Sequence, residues 1–136
     1  MRHTVALLFI AVTAVAAPVP KVKSKKPDAE VFVGRWEAVN PGKEGEMYGK
    51  ATWTIDDRLG LKIAYPEEDG RHTEWQIKLD PEKSPKEIDV GGFKGIYEFD
   101  GDDIRIADTS GERPTSFDPK PGVSFHVLRR LPEKDK

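Results

Sequence analysis

Tryptophans stand at positions 36, 53 and 75, each on the apolar side of a segment in which apolar and polar residues alternate. Indole rings gathered inside a β-structure can line a cavity for an apolar or sugar-like ligand. They can equally fill the interior, since a large aromatic side chain buries about 150–250 Å² and a small eight-stranded barrel is just wide enough for its own side chains. Tyr97 shares the apolar side of its segment and joins the three tryptophans as a candidate ligand contact. Arg113 lies in a stretch that also holds Pro114, Pro119 and Pro121. Its planar fork suits a ligand carboxylate or phosphate. The same fork can pin the stretch to a neighbouring acid, and the rigid prolines favour pinning.

Other chemistry is sparse. His3, His72 and His126 have no carboxylate at metal-ligand spacing. Asp100-Gly101-Asp102-Asp103 has the composition of a calcium loop without its order or closing glutamate, and reads as a turn. No nucleophile elbow, zinc-protease helix motif or phosphate-binding glycine loop occurs. The chain has no cysteine, so disulfides, thiolate metal sites and thiol nucleophiles are excluded. With 22 basic and 24 acidic residues the formal charge is −2, which offers nothing electrostatic to nucleic acid. These residues imply no cofactor and no catalytic machinery.

The elements that must position the aromatics are short strands. From Glu30 onward the apolar pattern has period two, and proline or glycine interrupts it about every ten residues. Eight strands are expected, over Glu30–Val39, Lys50–Ile55, Leu59–Tyr65, Thr73–Leu79, Glu87–Val90, Phe93–Phe99, Asp103–Ala107 and Val123–Leu131. The inward sets are Phe32, Gly34, Trp36 and Ala38 in the first and Ala51, Trp53 and Ile55 in the second. Trp75, Ile77 and Leu79 face in from the fourth; Phe93, Tyr97 and Phe99 from the sixth; Val123, Phe125 and Val127 from the last. His126 then points outward. Asp69-Gly70, Gly91-Gly92 and Asp100-Gly101 supply the positive φ angles of tight hairpins. Strands joined in sequence order by hairpins predict an all-β, antiparallel up-and-down barrel of eight strands, with a two-sheet sandwich as the alternative. Two longer loops, Asn40–Gly49 and Asp108–Gly122, belong at a rim, where function concentrates.

The chain's first residues differ in kind. Residues 1–16 read as a secretory signal: Arg2 and His3 precede an apolar run from Val5 to Val12, and Ala14-Val15-Ala16 fits the cleavage pattern. The run is shorter than the ~20 residues a membrane-spanning helix needs, so no span is expected after cleavage; an uncleaved anchor is the alternative. Residues 17–29 form a basic linker with Lys21, Lys23, Lys25 and Lys26, residues 30–131 the barrel, and 132–136 a charged tail. The expected location is periplasmic or secreted.

Two segments, Lys78-Leu79-Asp80-Pro81-Glu82-Lys83-Ser84-Pro85-Lys86-Glu87-Ile88-Asp89 and Lys94-Gly95-Ile96-Tyr97-Glu98-Phe99-Asp100-Gly101-Asp102-Asp103-Ile104, together with Arg113-Pro114-Thr115-Ser116-Phe117, resemble an uncharacterised domain family common in exported planctomycete proteins. That resemblance covers roughly Val33 to Arg130 and implies no known activity. Gly34-x-Trp36 also resembles the glycine–tryptophan signature of lipocalin-like barrels, which place an arginine late in the last strand against the tryptophan. Arg129 shares the parity of Phe125 and Val127, so the resemblance implies that Gly34, Trp36 and Arg129 form a structural base, with Arg130 outside. A guanidinium on an indole face contributes about 0.5–2 kcal/mol. The combined expectation is an exported, lipocalin-like domain that binds a small apolar or sugar-like ligand or an envelope component. Trp36, Trp53, Trp75, Tyr97 and Arg113 are the candidate contacts. The alternatives are a structural or interaction module with a filled core and, with least support, an envelope hydrolase.

Overall fold

The computed structural model describes residues 26–68 and 70–133. The signal peptide and most of the basic linker expected from the sequence lie outside the described residues. A short helix, α1 (Asp28–Phe32), is followed by eight strands: β1 (Gly34–Val39), β2 (Lys50–Ile55), β3 (Gly60–Ala64), β4 (His72–Asp80), β5 (Lys86–Val90), β6 (Phe93–Asp100), β7 (Asp103–Thr109) and β8 (Ser124–Arg130). Each strand pairs antiparallel with the next, and β8 returns to pair with β1. The sheet is therefore a closed up-and-down barrel. The sandwich alternative is excluded by the β1–β8 ladder, which runs from Trp36↔Arg130 to Val39↔Val127.

The alternation that marks the strands also fixes which side chains face in. Trp36 and Ala38 from β1, Ala51, Trp53 and Ile55 from β2, and Leu61 and Ile63 from β3 are buried in one cluster with Ile77, Ile88, Tyr97, Ile104, Ile106 and Leu128. Antiparallel order puts the starts of odd-numbered strands at one end, the base, and their ends at the other, the mouth. Both long loops, over 40–49 and 110–123, lie at the mouth. At the base the connections are short.

Two sequence expectations fail for identifiable reasons. Glu30–Phe32 is helical, not extended: Pro27 starts the turn, its carbonyl accepting from the Glu30 and Val31 amides, and Asp28 and Glu30 suit the first turn of a helix. The helix stops because Gly34 adopts φ 136°, which redirects the chain into β1. Phe32 is nevertheless buried, as a plug under the barrel rather than a strand residue.

The second correction concerns β8. Leu128, which pairs with Ala38, faces the core, so His126 and Arg130 share the inner face while Phe125, Val127 and Arg129 point out. Phe125 and Val127 are apolar because the 110–122 loop crosses the outer wall there: they line a groove with Phe117 and Pro119 of that loop. Arg129 is in solvent with its Nε 4.0 Å from Asp103. The arginine over Trp36 is Arg130, its guanidinium carbon 4.1 Å from the ring centroid.

Candidate functional site

The base is assembled from groups that bond to one another. Trp36 is fully buried, and its indole N–H donates to the Phe32 carbonyl at 2.8 Å. Arg130 donates to the Val33 and Val31 carbonyls at 3.0 and 2.7 Å, tying the end of α1 to β8 while stacking on Trp36. Gly34 is required twice, once for its φ and once because a Cβ there would come within 2.6 Å of Arg130 Nη1. Phe32 meets Tyr97 and Phe99 edge-on at 5.3 and 6.1 Å. The Asp28 carboxylate accepts from Lys86 Nζ at 2.8 Å and from the Tyr97 hydroxyl at 2.7 Å. Burial, and then Asp28, push the Tyr97 phenol well above its ordinary range. Trp36 and Tyr97 therefore sit in the plug and line no cavity at the mouth.

The mouth is built differently. A cavity of about 270 Å³ opens there, with Trp53, Tyr65, Trp75, Val90 and Phe93 among its walls. Trp53 is buried at its floor, whereas Trp75 is 37% and Phe93 39% exposed at its rim. Trp75 has the inward register of Leu61, yet β4 pairs with β5 only from Ile77 onward, so its mouth half stands beside a slot. The indole spans that slot. It lies so close to Gly91, at φ 58°, that a Cβ would come within 2.3 Å of it, and it meets Phe93 edge-on at 6.0 Å. Its N–H donates to Thr73 Oγ1 at 3.2 Å.

Tyr48 closes the far side. With φ 65° at the end of the 40–49 loop, it sets its ring 4.8 Å from Tyr65 and donates its hydroxyl to Glu68 at 3.2 Å. That bond raises the Tyr48 phenol above its usual range, and burial followed by Glu68 raises Tyr65. The large apolar side chains left exposed among the described residues are Met47, Tyr48, Trp75 and Phe93, and all four are at this end.

No family model matches the chain, and no match is found among curated proteins or solved structures. The site must therefore be read from its own chemistry. On the inner wall opposite Trp75 are two polar residues, Asp108, which the sequence assigns to the start of a rim loop, and His126, which the sequence turns outward. The seventh strand runs two residues beyond Ala107, so Asp108 continues the inward series of Ile104 and Ile106 and is 8% exposed. Gly95 pairs with it and makes room: a Cβ on Gly95 would lie 2.9 Å from Asp108 Cβ. His126 Nε2 is 3.6 Å from the Asp108 carboxylate, and its ring is 5.6 Å from Trp53. The signal that places Asp108 was the every-second-residue run Ile104, Ile106, Asp108. His126 was hidden by two outward apolar neighbours.

Arg113 is not at the cavity. Its guanidinium donates to the Ile88 and Gly95 carbonyls at 3.1 and 2.8 Å and to Asp89 at 2.7 Å, with Glu87 at 3.5 Å. These partners lie on β5 and β6, so Arg113 fastens the 110–122 loop across the barrel wall. Further along that loop, Phe117 lies 5.0 Å from the Arg105 guanidinium.

Proposed function

We propose that this chain is an exported binding protein that takes a small, mainly apolar ligand into the open mouth of its barrel. The observation that carries this reading is the 270 Å³ cavity walled by Trp53, Tyr65, Trp75 and Phe93, which keeps large aromatic surface accessible where the base buries it. Sites for drug-sized ligands run about 300–1,000 Å³, so the volume favours a compact molecule over a long lipid chain or an oligosaccharide. Export rests on the apolar run and Ala14-Val15-Ala16 at the start of the sequence. The lipocalin-like reading is supported by the Gly34–Trp36–Arg130 base.

The test is a thermal-shift and tryptophan-emission screen of the mature chain against small aromatic, aliphatic and monosaccharide compounds. Binding at the mouth raises the melting temperature and changes emission, and Trp75→Leu diminishes both responses. A screen in which no compound does either leaves the filled-core interaction module as the better reading.

A further inference from the structure

We infer that the ligand held at the mouth carries an ammonium group, recognised by the Asp108 carboxylate within the aromatic wall. This rests on the mouth being a binding site, and adds the chemical class of what binds. Asp108 is 8% exposed and lines the cavity, so what surface it keeps opens onto that space. Burying a carboxylate is costly unless a cation or several donors meet it. Among the described residues the basic group within 4 Å is His126, at 3.6 Å, which is longer than a hydrogen bond and charged only when protonated. The site therefore presents a mostly buried carboxylate whose neighbouring basic group stands beyond hydrogen-bond distance.

The surrounding walls reinforce the same preference. The faces of indole and phenyl rings are the negative poles of their quadrupoles and attract cations, most strongly when water is excluded. Trp53 lies beside His126, and Trp75 and Phe93 stand across the cavity. A carboxylate ligand would meet repulsion from Asp108. A neutral alcohol or sugar would donate hydrogen bonds to Asp108 but gain no charge pairing. An ammonium group on a short aromatic or aliphatic body satisfies both features, and the 270 Å³ limits that body to a compact one.

The experiment is isothermal titration calorimetry of the mature chain with four probes: phenethylamine, phenethyl alcohol, hydrocinnamate and glucose. The amine is expected to bind at least about tenfold tighter than the alcohol, the scale of one charge-assisted hydrogen bond, and hydrocinnamate weaker than either. Asp108→Asn should bring the amine down to the level of the alcohol and change the alcohol far less, since the amide oxygen still accepts its hydrogen bond. Trp75→Leu should weaken both alike. If the alcohol or glucose binds as tightly as the amine, the ammonium inference is overturned while the mouth remains a binding site. If none of the four binds, both readings fail. The discrimination shown by the unsubstituted chain decides the matter even should Asp108→Asn not fold.

Discussion

The two ends of the barrel draw on the same eight strands and the same aromatic residue types, yet they use them in opposite ways. At the base, Phe32, Trp36 and Tyr97 are buried and every polar group on them has a partner within the chain: Trp36 on the Phe32 carbonyl, Tyr97 on Asp28. At the mouth, Trp75 and Phe93 keep more than a third of their surface, and Asp108 faces a cavity with a conditional partner. The difference lies in what closes each end. The base has a helix with a glycine exit and an arginine that bonds back to it. The mouth has two long loops, of which the longer is fastened to the outside wall by Arg113 and so does not fold over the opening. Aromatic residues alone do not distinguish a core from a site; the satisfaction of their surroundings does.

This contrast can be broken most readily at the base. Trp36→Ala removes a fully buried indole, its hydrogen bond and its stack with Arg130, and should destabilise the fold by about 3–5 kcal/mol in urea titration. The fraction that remains folded should bind ligand with unaltered affinity. A Trp36→Ala protein of normal stability would show that the plug contributes little.

A smaller effect separates two adjacent arginines. Arg130→Ala should cost about 1–2 kcal/mol, from the lost indole stack and the two carbonyl bonds. Arg129→Ala should stay within about 0.5 kcal/mol, because an exposed pair with Asp103 at 4.0 Å is worth little. Equal melting temperatures for the two variants would contradict the β1–β8 register.

Alkaline pH tests the base from another side. The folded phenol of Tyr97 holds its proton above the unfolded value near 10. Unfolded chains lose that proton first, so stability is intact below about pH 10 and falls above it, by up to about 1.4 kcal/mol per pH unit. Tyr97→Phe should flatten that part of the decline when unfolding is measured on both sides of pH 10. Identical slopes would mean that Tyr97 ionises as easily in the fold as out of it.

Less stability is at stake at the mouth. Trp75→Ala should cost about 1–2 kcal/mol, less than Trp36→Ala, since over a third of the residue is exposed and it makes one side-chain hydrogen bond. Its effect belongs in affinity, with a several-fold weaker dissociation constant for any mouth ligand. A large loss of stability with no loss of affinity would move Trp75 from the site to the core.

Much of this architecture was legible because alternation is a physical consequence of one buried face. Ala51-Thr52-Trp53-Thr54-Ile55 and Trp75-Gln76-Ile77 give their inward sets directly, and the glycine turns give the hairpins. The misreadings arise where that premise lapses. In Ser124–Arg130 the outward Phe125 and Val127 are apolar because a loop distant in sequence covers them, so apolarity no longer marks the interior and Arg129 took the place of Arg130. The same error turned His126 outward. Glu30–Phe32 has too few residues to display a period, and its helix is set by Pro27 and Gly34. Arg113 was legible in kind, as a fork that pins a rigid loop, although its partners on β5 and β6 are fixed by tertiary structure alone. Trp36 and Tyr97 could not be told from Trp53 and Trp75 by parity, because parity says which side a residue faces and not which groups its ring meets there: Trp36 and Trp53 are paired across β1 and β2, yet one packs under Arg130 and the other beside His126.

The contrast between a plugged base and an open mouth is tested most directly by following the three tryptophan indole N–H resonances in a nitrogen–proton correlation spectrum while phenethylamine is added. The signals of Trp53 and Trp75 are expected to move with ligand concentration and saturate together, while that of Trp36, bonded to the Phe32 carbonyl, stays in place. A spectrum in which all three remain still, or in which Trp36 moves most, would contradict that contrast.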